Sequence, residues 1–145
     1  MRALTLVLLL AACVGGAAPL EPPAALRGCW IERRGAETLT MRWFPAGEAG
    51  PLEWRGDLLS YVPSQEPAPQ SFRLTPTAGE REHFGWALCP EAEPHGSPCH
   101  PLHFRPSRGE GEAFELIATP ETLRLAYRTG TDRLVLFDGA RDGCD

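Results

Sequence analysis

Gly28-Cys29-Trp30, residues 28–30, opens the first predicted β-strand of this chain, and the rest of the fold is organised around it. A leader and a Gly/Pro-rich tether precede it, and short segments with alternating apolar residues follow it. Its cysteine has a potential partner in Cys144, one residue from the C-terminus. The two ends of the folded chain are therefore expected to meet.

The apolar residues after this first strand recur with a period of two, which is typical of β-strands and not of helices. In residues 38–44 (TLTMRWF) every second side chain is apolar. In 52–62 the alternation slips at Leu58-Leu59, which predicts a β-bulge near Gly56. Similar short segments, separated by turn residues, continue to 133–138 (RLVLFD). The pattern predicts an all-β fold, an antiparallel meander of eight or nine strands without a substantial helix.

The ends of such a meander need cover, because exposed edge strands promote association. Since a cysteine lies near each end, we predict closure into a β-barrel, with a β-sandwich as the alternative. About 130 residues remain after the leader, which is enough for one hydrophobic core. The predicted domain is 27–145.

Residues 1–12 predict a signal peptide, because a charged start is followed by a hydrophobic run too short to span a bilayer. Leu10-Ala11-Ala12-Cys13 resembles the bacterial lipobox, in which the cysteine is lipidated and becomes the first mature residue. The alternative is ordinary cleavage by about residue 18, which discards Cys13. Residues 13–26 then read as a tether. We expect an exported protein on the periplasmic side of a bacterial envelope, lipid-anchored at the outer membrane.

Four cysteines follow the leader, namely Cys29, Cys89, Cys99 and Cys144. An even number of cysteines in an exported domain implies disulfides. Three connectivities are possible among four cysteines. We favour Cys29–Cys144 with Cys89–Cys99, because the last strand of a closed barrel runs antiparallel beside the first. The end of the last strand then lies beside the start of the first.

Gly28 and Trp30 form a Gly-x-Trp at the head of a series of short strands, and this resembles the start of the lipocalin and fatty-acid-binding-protein barrels, the calycin type. The resemblance implies that the glycine lets the chain turn into the first strand and that the tryptophan closes the barrel floor. It also implies an arginine from late in the chain stacked on that ring, for which Arg141 and Arg133 are candidates. A barrel of this type implies a small apolar or amphipathic ligand.

Inward-facing aromatic side chains of the central strands are the candidates for lining a ligand cavity, namely Trp43, Trp54, Phe72, Phe84 and Trp86. The alternative is a barrel filled by these same side chains. The protein would then be an interaction module, or an inhibitor-type protein, that binds another envelope protein through a loop.

The sequence gives little support for catalysis, metal binding or nucleic-acid binding. No nucleophile, phosphate-binding or metalloprotease motif is present, so we expect neither an enzyme with catalytic residues nor a cofactor. His95, His100 and His103 match no familiar metal motif, and we predict surface residues and no metal. The net charge of −5 repels phosphate backbones, which argues against nucleic acid. Membrane contact is expected only through the lipid anchor.

Overall fold

The computed structural model describes residues 22–46, 53–77, 85–91 and 98–143, and in them the chain forms a closed nine-stranded β-barrel. A 3₁₀-helical turn, Ala24–Leu26, precedes the first strand. The strands are β1 (Gly28–Arg34), β2 (Glu37–Pro45), β3 (Trp54–Tyr61), β4 (Ala68–Thr77), β5 (Gly85–Glu91), β6 (His100–His103), β7 (Glu112–Ala118), β8 (Thr122–Thr129) and β9 (Asp132–Asp142). The predicted all-β closed barrel is confirmed. The predicted signal peptide, Cys13 and most of the tether lie outside the described residues. Within the described residues, no helix is long and apolar enough to cross a membrane.

Neighbouring strands follow sequence order, and β9 pairs with β1 to close the ring. A ring with an odd number of strands cannot alternate direction all the way round, so at least one neighbouring pair must be parallel. That pair is β6 and β7, in which Leu102 lies opposite Phe114. The prediction of a purely antiparallel meander is therefore wrong at this pair. Residues 104–111, here called the crossover connection, carry the chain back along the barrel before β7 begins.

The crossover connection is held on the outer face of the barrel by a buried carboxylate. Glu115 of β7 is 3% exposed and accepts hydrogen bonds from the backbone N–H and the hydroxyl of Ser107, both at 2.8 Å. Arg133 of β9 donates to the same carboxylate at 3.0 Å. Burial alone would raise the pKa of Glu115, but the hydrogen bonds from Arg133 and Ser107 outweigh it and lower the pKa to about 2. The carboxylate is therefore charged and fully partnered.

Arg128 of β8 holds the far end of the crossover connection. It is 4% exposed, and its guanidinium donates to the hydroxyl of Ser107 at 3.1 Å. It also donates to the carbonyl oxygens of Gly109, Gly111 and Gly130, at 2.5, 3.3 and 3.1 Å. The cation thus ties carbonyl oxygens of the irregular crossover connection to one in the β8–β9 turn.

The β2–β3 register runs without a break from Thr38 opposite Tyr61 to Pro45 opposite Trp54. The predicted bulge near Gly56 is therefore wrong. Gly56 instead provides space, because a Cβ there would lie 2.6 Å from the Trp43 ring. Among the described strand pairs, a register shift falls between Leu125 and Ala126 of β8. The slip in the sequence pattern has another cause: Leu59 is an apolar residue on the outer face.

The disulfide predicted between Cys89 and Cys99 is confirmed and ties β5 to the segment that leads into β6. Cys29 is also disulfide-bonded and lies opposite Asp142 in the β1–β9 pair. Its expected partner, Cys144, lies outside the described residues. The Cys29–Cys144 pairing stays a prediction.

Candidate ligand pocket

The floor of the barrel, the end at which β1 begins and β9 finishes, is closed by Leu26, Trp30 and Arg141. Leu26 and Trp30 are buried, and the Arg141 guanidinium carbon lies 4.8 Å from the centre of the Trp30 ring. Arg141 also donates to the carbonyl oxygens of Pro120 and Ala25, at 2.6 and 2.7 Å. One side chain of the last strand therefore joins the first strand, the segment before it and the β7–β8 turn.

Gly28 is placed where only glycine fits this floor. Its φ is +147°, which side chains rarely adopt, and a Cβ there would collide with the Arg141 guanidinium. Of the two arginines expected from the calycin resemblance, Arg141 is the one over Trp30, whereas Arg133 binds Glu115.

Two of the predicted cavity-lining residues, Trp43 and Phe72, pack against each other inside the barrel. Each is 1% exposed, and their ring centres are 6.4 Å apart in a stacked arrangement. The buried indole N–H of Trp43 has no hydrogen-bond partner among the described residues, which suits a ring held by packing alone. Trp54 is only partly buried at the edge of the core, and Phe84 lies outside the described residues.

Trp86, in contrast, lines an open pocket of about 460 Å³ together with Leu102 and Phe104. Trp86 and Leu102 are register neighbours on β5 and β6, and Phe104 meets the Trp86 ring edge-on with centres 6.2 Å apart. Phe104 reaches this position because β6 ends at His103, so that the chain turns there. The volume lies within the range of small-molecule sites, about 300–1,000 Å³.

The rim of this pocket consists of small and polar residues from β4, β5, β6 and the crossover connection: Thr77, Gly85, Pro101, His103 and Arg105. Arg105 is exposed, and the structure gives it no hydrogen bond or ion pair within the described part of the chain. The site can hold an apolar group against aromatic rings and a polar group at its edge. Sequence reasoning identified Trp86 but missed Leu102, Phe104 and Arg105 as site residues; their signal was a very short apolar strand followed by Arg105-Pro106.

The two described histidines, His100 and His103, do not form a metal site. His100 packs its ring against Phe114 and Tyr127, with centres 5.9 and 5.5 Å away, and its Nδ1 lies 3.5 Å from Glu112. His103 lies at the rim of the ligand pocket, and His95 is outside the described residues. Burial and the Glu112 carboxylate raise the pKa of Tyr127. Among the residues with described positions, no group of three or more His, Cys, Asp or Glu could hold a metal ion.

A second pocket of about 470 Å³ lies on the outer face of β1–β3. Its lining mixes charged side chains, Arg42, Asp57 and Asp142, with Leu59 and Tyr61. Asp57 is already engaged by Ser71 at 2.8 Å and by Arg55 at 3.2 Å. The aromatic pocket at Trp86 is therefore the better candidate for an apolar ligand.

Fold and site together define a class: a small, disulfide-bonded, closed β-barrel, compatible with the calycin type, with an aromatic pocket between the ends of β4, β5 and β6. Comparison with protein-family models, with curated proteins and with solved structures finds no match.

Proposed function

We propose that the protein is an exported bacterial cell-envelope lipoprotein, without enzymatic activity, that binds a small apolar or amphipathic molecule in the pocket at Trp86. The observation that carries the proposal is the pocket of about 460 Å³ lined by Trp86, Leu102 and Phe104, which contrasts with the tightly packed pair of Trp43 and Phe72. The leader with Cys13 and the Cys89–Cys99 disulfide support export, since disulfides persist in oxidising compartments.

The expected affinity is moderate. A ligand that loses about 200 Å² of apolar surface gains roughly 5 kcal/mol before the costs of association. Since 5 kcal/mol corresponds to a dissociation constant of about 0.2 mM, the expected dissociation constant is in the millimolar range. An open pocket of this kind suits a carrier or sensor that must also release its ligand.

Native mass spectrometry of the protein from its own envelope tests the proposal directly. We expect an adduct of a few hundred daltons that is lost on denaturation, and an acylated mature N-terminus at Cys13. A bare protein mass in repeated preparations would contradict ligand binding. Cleavage after Ala17 or Ala18, without acyl chains, would contradict the lipid anchor alone.

Phe104→Ala is expected to weaken binding of decanol about tenfold, because half of the aromatic wall is removed. Isothermal titration calorimetry with purified protein measures this change. Phe44→Ala is the matched control, since Phe44 is a half-buried aromatic residue of β2 that packs under Arg42 away from the pocket. Equal affinities of the two variants would count against this site.

The alternative is an interaction module, and the packed pair of Trp43 and Phe72 supports it, as does the Cys89–Cys99 disulfide that fixes both ends of the intervening loop. Cross-linking in the envelope should then capture one partner protein. Replacement of residues 92–97 by Gly/Ser should abolish that capture while leaving the barrel folded. A capture that persists after this replacement would argue against the loop as the binding element.

A further inference from the structure

We propose that Ser107 is a positioning residue for the ligand pocket, whose lining does not include it. A buried hydrogen-bond network on the outer face of the barrel holds Ser107, and the two residues between Ser107 and Phe104 transmit its position to the pocket wall. This role rests on the proposed function, and it adds the element that holds the wall of the same pocket in place.

The Phe104 ring forms the pocket wall from outside the sheet. β6 ends at His103, which lies opposite Glu115 in the register with β7, so strand pairing no longer directs the chain at Phe104. Its ring nevertheless meets Trp86 edge-on, with centres 6.2 Å apart. Because Phe104 is only partly buried against the core, its ring needs a further anchor in the crossover connection.

Ser107 provides this anchor, because all of its polar groups are bonded and the residue is 9% exposed. Its backbone N–H and its hydroxyl donate to Glu115, both at 2.8 Å. Its carbonyl oxygen accepts from Arg133 at 2.7 Å, and its hydroxyl oxygen accepts from Arg128 at 3.1 Å. These partners lie on three strands, β7, β8 and β9. A shift of Ser107 would therefore cost hydrogen bonds to buried charged groups.

Only Arg105 and Pro106 separate the ring from this anchor, and the backbones of both are restricted. The proline ring fixes φ of Pro106 at about −65° and disfavours the helical conformation of the residue before it. The same two residues join the two sites in space. Arg105 lines the ligand pocket, whereas Pro106 lines a cleft of about 90 Å³ beside Glu115 on the outer face. A short and stiff link thus couples Ser107 to Phe104.

Ser107→Ala removes the hydroxyl from this network and leaves the lining of the pocket unchanged. We expect it to weaken binding of hexanol about threefold, because a loosened wall has to be ordered when the ligand binds. Hexanol is the probe, since it dissolves at the millimolar concentrations that the expected affinity requires. NMR titration of the full mature protein measures the dissociation constant.

Ser60→Ala is the matched control, because the Ser60 hydroxyl also donates to a carboxylate, that of Glu37 at 2.6 Å, but lies outside the pocket. It should leave the affinity for hexanol unchanged. In a Phe104→Ala background, Ser107→Ala should cause no further loss of affinity, because the ring through which it acts is gone. A serine with a general structural role would lower the affinity equally in both backgrounds.

The position of the Phe104 ring can also be followed without a ligand. The neighbouring Trp86 ring shifts the proton resonances of Phe104, and their loss in Phe104→Ala assigns them. Ser107→Ala should move these resonances towards the values of a solvent-exposed phenylalanine. Ser60→Ala should leave them in place.

The outcomes separate the positioning role from the proposed function. Unchanged Phe104 resonances in Ser107→Ala, wild-type affinity in that variant, or a loss of affinity that persists in the Phe104→Ala background would refute the positioning role and leave the pocket standing. If the resonances move as expected but the wild-type protein binds no hexanol, Ser107 still positions Phe104, and the proposed function fails.

Discussion

Glu115→Gln is expected to destabilise the barrel by about 3–4 kcal/mol at neutral pH, measured as the free energy of unfolding in urea. Glutamine keeps the size of the side chain but removes the charge that Arg133 faces and that lies 3.9 Å from Arg128. Arg128 is 4% exposed, so a guanidinium would remain buried without its counter-charge. Removing one partner of a buried ion pair destabilises a protein strongly, because the remaining charge stays buried without compensation.

Acid should reproduce this loss in the wild-type protein. The pKa of Glu115 is lowered from 4.5 to about 2 by the hydrogen bonds described above, so the unfolded chain takes up this proton more readily than the folded one. The stabilisation is present above pH 4.5 and is lost as the pH falls through 2. It amounts to about 3 kcal/mol, because the carboxylate is buried and is little screened by solvent.

The comparison between variants isolates this carboxylate from the others. Urea unfolding between pH 5 and pH 2 should show a smaller loss of stability in Glu115→Gln than in the wild type, by about 3 kcal/mol. Glu110→Gln, at an exposed position of the crossover connection, should follow the wild type. Trypsin should also cleave faster after Arg108 in Glu115→Gln, because a neutral amide oxygen holds the hydroxyl and the N–H of Ser107 less strongly than the carboxylate does. An unchanged acid dependence in Glu115→Gln would refute this account.

The burial of Glu115 is a feature of the fold that the sequence pattern does not predict. Alternation along β7 puts Phe114 and Leu116 inside and Glu115 outside, and in the pattern Glu115 reads as a solvated residue. It is buried because the crossover connection covers the outer face there, and that connection exists because nine strands force one parallel pair. Whether the number of strands is odd or even is a property of the whole barrel, so no local sequence pattern predicts it.

The pocket shows the same limit at a smaller scale. A period of two correctly indicates that Trp43, Phe72 and Trp86 point inward. Which of these rings borders a pocket depends on the size of the neighbouring side chains. The Trp43 ring fills the space left by the missing side chain of Gly56, whereas Trp86 lies beside the early end of β6. Strand ends and neighbouring volumes are set by tertiary packing, and alternation does not encode them.

Gly28→Ala is expected to destabilise the protein by about 3 kcal/mol, the second large effect. A methyl group at this position would push the guanidinium of Arg141 off the Trp30 ring and away from the carbonyl oxygens of Ala25 and Arg27. The β1–β9 strand pair that closes the barrel would then lose the contacts of Arg141 that stabilise it at the floor. Urea unfolding measures the loss, and unchanged stability would contradict the role of this glycine.

Backbone strain alone should cost about 1 kcal/mol of this total, and Gly109→Ala provides its measure. Gly109 has a comparable φ of +140°, but a Cβ there meets nothing within 4 Å. Gly28→Ala should therefore be clearly the more destabilising of the two. Similar losses in both variants would assign the whole effect to the backbone.

A double-mutant cycle with Arg141→Ala then separates the clash from other effects at the floor. Once the guanidinium is gone, the added methyl group has no collision partner there, and the cost of Gly28→Ala should fall to about 1 kcal/mol, close to that of Gly109→Ala. The difference between the two backgrounds is the coupling between Gly28 and Arg141. A cost that stays near 3 kcal/mol without the arginine would mean that Gly28 serves the entry of β1 alone and that Arg141 does not depend on it.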